Sequence, residues 1–139
     1  MAAPKWNLSV LSVADQQAIE NLVRSADEAA TRRDDAGYAA LYTEDGVMEG
    51  SEGNAQGRDA IRAAVKMVWA REPAGSKHLT RDVVVAEEAG LAIARSNLVI
   101  VVEGAATPFA EARVTQTVRR TDEGWRIARR LIAEGADGR

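Results

Sequence analysis

Apolar positions recur every three or four residues in the first half of the chain and every two in the second half. Ile19, Leu22, Val23, Ala26 and Ala30 form one stripe, which predicts a helix over about 14–33. Ser12 and, three residues later, Asp15 have the spacing of a capping box at its start. A short second helix follows, with Tyr38, Leu41 and Tyr42 on one side, then a brief strand over 46–49. The glycine-spotted segment 50–57 reads as a loop. A third helix begins near Arg58, where Ile61, Ala64, Val65, Val68 and Trp69 fall at i, i+3, i+4, i+7 and i+8. Beyond Pro73 and Gly75 the segments 78–86, 91–103, 111–121 and 125–131 read as strands. Glu87-Glu88-Ala89-Gly90 and Asp122-Glu123-Gly124 supply turns between them.

Helices first and consecutive strands afterwards predict an α+β domain. Three N-terminal helices should cover one face of a strongly curved antiparallel sheet. In segment 91–103 one face carries Leu91, Ile93, Val99 and Val101, and the other Ala92, Ala94, Leu98, Ile100 and Val102. Helices can cover only one of these apolar faces. A second copy of the chain on the outer face is therefore expected, as a homodimer.

With 139 residues the chain suits a single domain over 14–133, with an N-terminal extension 1–13 and a C-terminal tail 134–139. Eighteen basic residues stand against 21 acidic ones, with no basic block, so neither nucleic acid nor an anionic membrane is an expected partner. The longest apolar run, 98–102, is too short to span a bilayer. No apolar core of a secretory signal follows Met1, and a cytoplasmic location is the expectation. Cysteine is absent and histidine occurs once, which argues against thiolate or histidine-cluster metal sites; no metal and no cofactor are expected.

Three stretches carry a resemblance: Tyr38-Ala-Ala-Leu-Tyr-Thr-Glu-Asp-Gly-Val47, Gly57-Arg-Asp-Ala-Ile61 and Val118-Arg-Arg-Thr-Asp-Glu-Gly-Trp-Arg-Ile127. In this order of elements the chain resembles the SnoaL-like branch of the nuclear-transport-factor-2-like superfamily. The resemblance runs from about Asp15 to Ile132. It implies a cone-shaped barrel with a deep apolar pocket between helices and concave sheet. Relatives include polyketide cyclases, dehydratases, ketosteroid isomerases, epoxide hydrolases and non-catalytic binding or dimerisation domains, so fold leaves activity open.

Within that frame His78 is the first candidate. Imidazole titrates near neutral pH, and a histidine at the matching strand position is catalytic in proteins similar to scytalone dehydratase. Asp27 lies on the flank of the first helix's apolar stripe and could orient His78 or act as a base itself. The dehydratase-like relatives place their helix-one acid near Thr31, which cannot ionise, and they use a second histidine that this chain lacks. The isomerase pattern puts its tyrosine on Ala26 and its carboxylate on Gly50; the epoxide-hydrolase pattern needs strand aspartates beside Arg95. Neither matches.

Gln116 and Asn97 interrupt strand faces and are candidates for holding a substrate oxygen, or else for internal hydrogen bonds. Trp69, Met48 and Tyr42 are candidates for an apolar lining, or for plain core. The expected function is cofactor-independent acid/base chemistry of the cyclase, dehydratase or isomerase type. Its substrate would be an apolar small molecule such as a polyketide or terpenoid intermediate. The alternative is a non-catalytic small-molecule-binding or dimerisation module of the same fold.

Overall fold

The computed structural model describes residues 11–51 and 53–135. Most of the expected extension and tail, 1–10 and 136–139, lies outside the described residues. Three helices, α1 (Val13–Thr31), α2 (Asp35–Ala40) and α3 (Arg58–Ala70), accompany six strands. These are β1 (Tyr42–Gly50), β2 (Gly53–Gln56), β3 (Ser76–Glu88), β4 (Leu91–Val102), β5 (Ala110–Thr121) and β6 (Gly124–Glu134). The capping box at α1 is present: the Ser12 hydroxyl accepts from the Asp15 amide at 3.0 Å, and the Asp15 carboxylate accepts from the Ser12 amide at 3.2 Å. Asp34 caps α2 through the Gly37 amide at 2.9 Å.

The sheet runs β2-β1-β6-β5-β4-β3. The last four strands form the expected antiparallel meander, whereas β1 runs parallel to β6. The sheet is therefore mixed and open at both ends, not wholly antiparallel and closed. Tyr42 opens β1 instead of sitting on α2, and part of the expected loop 50–57 pairs with β1 as β2. Short polar strands such as Gly53–Gln56 carry no apolar alternation, so only their pairing reveals them.

The concave face and the helices share a core of Ile19, Val23, Ala26, Tyr38, Tyr42, Ile61, Ala94 and Ile127 with their neighbours. Two β-bulges decide which side chains enter it. In β3 one extra residue between Arg81 and Val84 keeps His78, Thr80, Val83 and Val85 inward. In β6, Ile127 pairs with Val118 but Arg129 already pairs with Thr117, so Ala128 is the extra residue. Without it, alternation from Ile127 would aim Arg129 inward. With it, Arg130 is buried and Arg129 is exposed.

The outer face is more mixed than the apolar alternation in β4 implied. Lys77, Arg81, Arg95, Arg113 and Arg129 share it with Val84, Leu91, Val99 and Leu131. Among the described residues no helix is long and apolar enough to cross a membrane.

Candidate functional site

Between the helices and the concave sheet lies a cavity of about 180 Å3. Its apolar wall comes from α3 (Val65, Val68, Trp69), β4 (Leu98, Ile100) and β6 (Ile132), with Tyr38, Met48 and half-exposed Phe109. Arg130 and His78 with Glu72 form two polar stations in this lining, whose other charged members are Glu49, Arg71, Glu111 and Glu134. Among the described residues no group of three or more His, Cys, Asp or Glu side chains could hold a metal ion.

The first station centres on Arg130. Register places it directly between Met48 of β1 and Gln116 of β5. Its Nη2 donates to Asp27 Oδ1 at 2.9 Å and its Nη1 donates to Gln116 Oε1 at 3.1 Å. Thr80 donates to the other Asp27 oxygen at 2.5 Å. In a flat sheet β3 and β6 would lie about 14 Å apart. One α1 carboxylate touches side chains from both because the sheet curls around the helix and Arg130 reaches inward.

The guanidinium also lies 5.7 Å from the centroid of the Tyr38 ring, within cation–π range. Burial by itself opposes the Arg130 charge. Tyr38, Asp27 and Tyr42 outweigh it, and its pKa is raised. Behind the wall Tyr38 and Tyr42 share a hydrogen bond between hydroxyls at 3.0 Å, and Tyr38 lies 3.6 Å from Met48 Sδ. Burial, followed by the proximity of Tyr38, pushes the Tyr42 phenol well above its ordinary range.

The second station is His78. Its backbone N–H donates to Thr31 Oγ1 at 2.8 Å, which pins the start of β3 to the last turn of α1. Its Nε2 lies 2.9 and 3.1 Å from the two oxygens of Glu72, which also pairs with Arg33 at 3.0 Å. Both His78 and Glu72 side chains are nearly enclosed, while Arg33 is a third exposed.

Each expected site residue has a definite place. His78, Trp69 and Met48 line the cavity; Tyr42 and Gln116 are buried behind the wall. Asp27 does not orient His78, because Arg130 and Thr80 occupy both its oxygens. Glu72 holds that place instead. Asn97 is turned to the outer face and donates to Asp82 at 2.9 Å beside the β3 bulge, so it is not a wall residue. Thr31, which cannot ionise, holds the His78 backbone.

Sequence reasoning missed Arg130, Glu72 and Tyr38. An unbroken alternation along β6 points away from Arg130, and Glu72 sits in a connection with no periodicity. Tyr38, one helical turn before Tyr42, was the one with a readable signal.

A family model described as the SnoaL-like domain matches residues 12–131. The chain belongs to the SnoaL-like domain family. Solved structures agree with this SnoaL-like fold. A protein of unknown function with a cystatin-like fold from Nostoc punctiforme superposes with a TM-score of 0.82 at 21% identity, over 91% of this chain and 95% of that one. An NTF2-like protein with a cystatin-like fold from Novosphingobium aromaticivorans gives 0.76 at 27% identity, over 91% and 87%. ActVI-ORFA from Streptomyces coelicolor gives 0.69 at 19% identity, over 85% and 95%. Among curated proteins, none matches this SnoaL-like chain.

Proposed function

We propose that this protein is a cofactor-independent enzyme that moves a proton on an apolar small molecule held in the cone. The reaction is of the cyclase, dehydratase or isomerase type. The supporting observation is His78: its imidazole lines the cavity together with Trp69, Leu98 and Ile100, and its Nε2 is held at 2.9 Å by Glu72. A carboxylate accepts, so Nε2 is the donor, and in the neutral ring Nδ1 then presents a lone pair. That is a general base with its tautomer held by a carboxylate. Nδ1 takes a proton from a carbon next to a carbonyl, and the C–H electron pair moves through that carbon to the oxygen. The imidazolium then returns the proton to carbon or to a leaving hydroxyl, with Glu72 offsetting its charge meanwhile.

Size narrows the substrate. An apolar cavity on the order of 150 Å3 takes up benzene. This one receives one ring with small substituents, and anything longer projects past Phe109. A monoterpenoid or a single polyketide ring fits that limit. The protein works as a homodimer through the outer sheet face, where Val84, Leu91 and Leu131 are exposed; light scattering at micromolar concentration tests this.

The reaction is tested by following deuterium entry from D2O into monocyclic ketones and enones by NMR. Wild type exchanges hydrogen next to the carbonyl faster than buffer does. His78→Gln lowers that excess by about a hundredfold or more, and Glu72→Gln lowers it less. Exchange that survives a folded His78→Gln variant at full rate overturns the assignment. Tight binding without any exchange by wild type favours the non-catalytic binding module.

A further inference from the structure

Arg130 has donors to spare. A guanidinium carries five N–H bonds in a planar fork, and Gln116 and Asp27 take one each. One hydrogen on each terminal nitrogen and the Nε hydrogen remain. Nε is buried without an acceptor among the described residues, and so is Gln116 Nε2. Flipping the amide would not help, because it would set Nε2 against Arg130 Nη1, donor against donor. Buried donors left in this state are few in folded proteins and call for an acceptor from outside the chain. Arg130 itself forms part of the cavity wall.

Charge selects the kind of acceptor. Asp27 already offsets the Arg130 charge at 2.9 Å. Glu49 and Glu72 of the lining are likewise paired, with Arg129 at 2.5 Å and Arg33 at 3.0 Å. A ligand that arrives as an anion needs an unpaired cation, which this station lacks. A neutral molecule with a carbonyl oxygen does not, and it gains most from a cationic donor when that oxygen becomes negative.

We infer that Arg130 binds the carbonyl oxygen of a neutral monocyclic ketone or enone and stabilises it as an enolate. This rests on the proton-transfer reading. When His78 Nδ1 takes the proton from carbon, the electron pair comes to rest on the oxygen to which the spare Arg130 N–H groups donate. Carboxylic acids of the same size are then poor ligands.

The probe is 4-nitrophenol, whose phenolate oxygen stands in for the enolate and whose ionisation is read by absorbance. The paired variant Arg130→Met with Asp27→Asn removes one positive and one negative charge, so the net charge of the site is unchanged. The bound probe should ionise at a pH higher by one unit or more in the variant than in wild type. That is a loss of roughly tenfold or more in the phenolate-to-phenol ratio. Equal ionisation in the two proteins overturns the Arg130 inference and leaves the His78 reading intact. Failure of millimolar 4-nitrophenol to bind wild type overturns both. Should the paired variant not fold, the Arg130 Nε–H resonance of 15N-labelled wild type gives the answer. It shifts on titration with the probe if the inference holds, and stays in place if it does not.

Discussion

Two buried carboxylates, Glu72 in the wall of the hollow and Asp27 behind it, come from different elements and are held in opposite ways. Asp27, from the middle of α1, has both oxygens engaged by Arg130 and Thr80, and its side chain is 2% exposed. Glu72, just beyond α3, is shared between a partly exposed Arg33 and the ring of His78. The first group ties β3, β6 and α1 together and belongs chiefly to the architecture. The second engages one imidazole nitrogen, Nε2. Burial and a carboxylate therefore do not identify a catalytic acid by themselves; what its oxygens already hold decides its role.

The comparison breaks most sharply at Arg130. Arg130→Met alone strands the Asp27 charge and should cost about 3–5 kcal/mol. Adding Asp27→Asn should recover most of that loss, read as the midpoint of urea unfolding. If the single variant is as stable as wild type, the pair is not the clamp of the cone.

His78→Gln should behave differently. Its stability should fall by about 1 kcal/mol, the worth of one hydrogen bond, while deuterium exchange collapses. A thermal melt beside the NMR assay separates the two effects. Removing the Ser12 hydroxyl with Ser12→Ala touches neither station and should cost about 1 kcal/mol through the α1 cap, visible in the same urea titration.

The smallest effect is electrostatic and lies at the surface. Asp15 is held below the ordinary carboxylate range first by the Ser12 backbone N–H and then by Arg120. Its contribution is thus present above the ordinary aspartate pKa and is lost as pH falls through the lowered folded value. The difference in melting temperature between wild type and Asp15→Asn should shrink as pH is taken from about 6 to about 3. A difference that grows on acidification would contradict the capping geometry.

Much of the fold could be read along the chain because its signals are local. The 3.6-residue stripe of α1, the Ser12–Asp15 spacing and the Asp122-Glu123-Gly124 turn each rest on neighbours within a few residues. The parallel pairing of β1 with β6 does not, since it joins segments more than 75 residues apart. Of the site, His78 was legible because a lone imidazole beside an apolar strand is conspicuous. Its partner was not, because Glu72 sits in a connection without periodicity, and only the folded chain brings it against the ring.

The sequence by itself determined three helices, a four-strand meander, a family resemblance and a candidate proton carrier. These follow from periodicity and residue chemistry, which survive without knowledge of long-range contacts. Only the tertiary structure decided that Arg130 and not Arg129 faces the hollow, and that Glu72 rather than Asp27 holds the imidazole. The physical reason is register: a single inserted residue, Ala128, reverses every inward and outward assignment beyond it. No local pattern announces that insertion until β5 and β6 are paired.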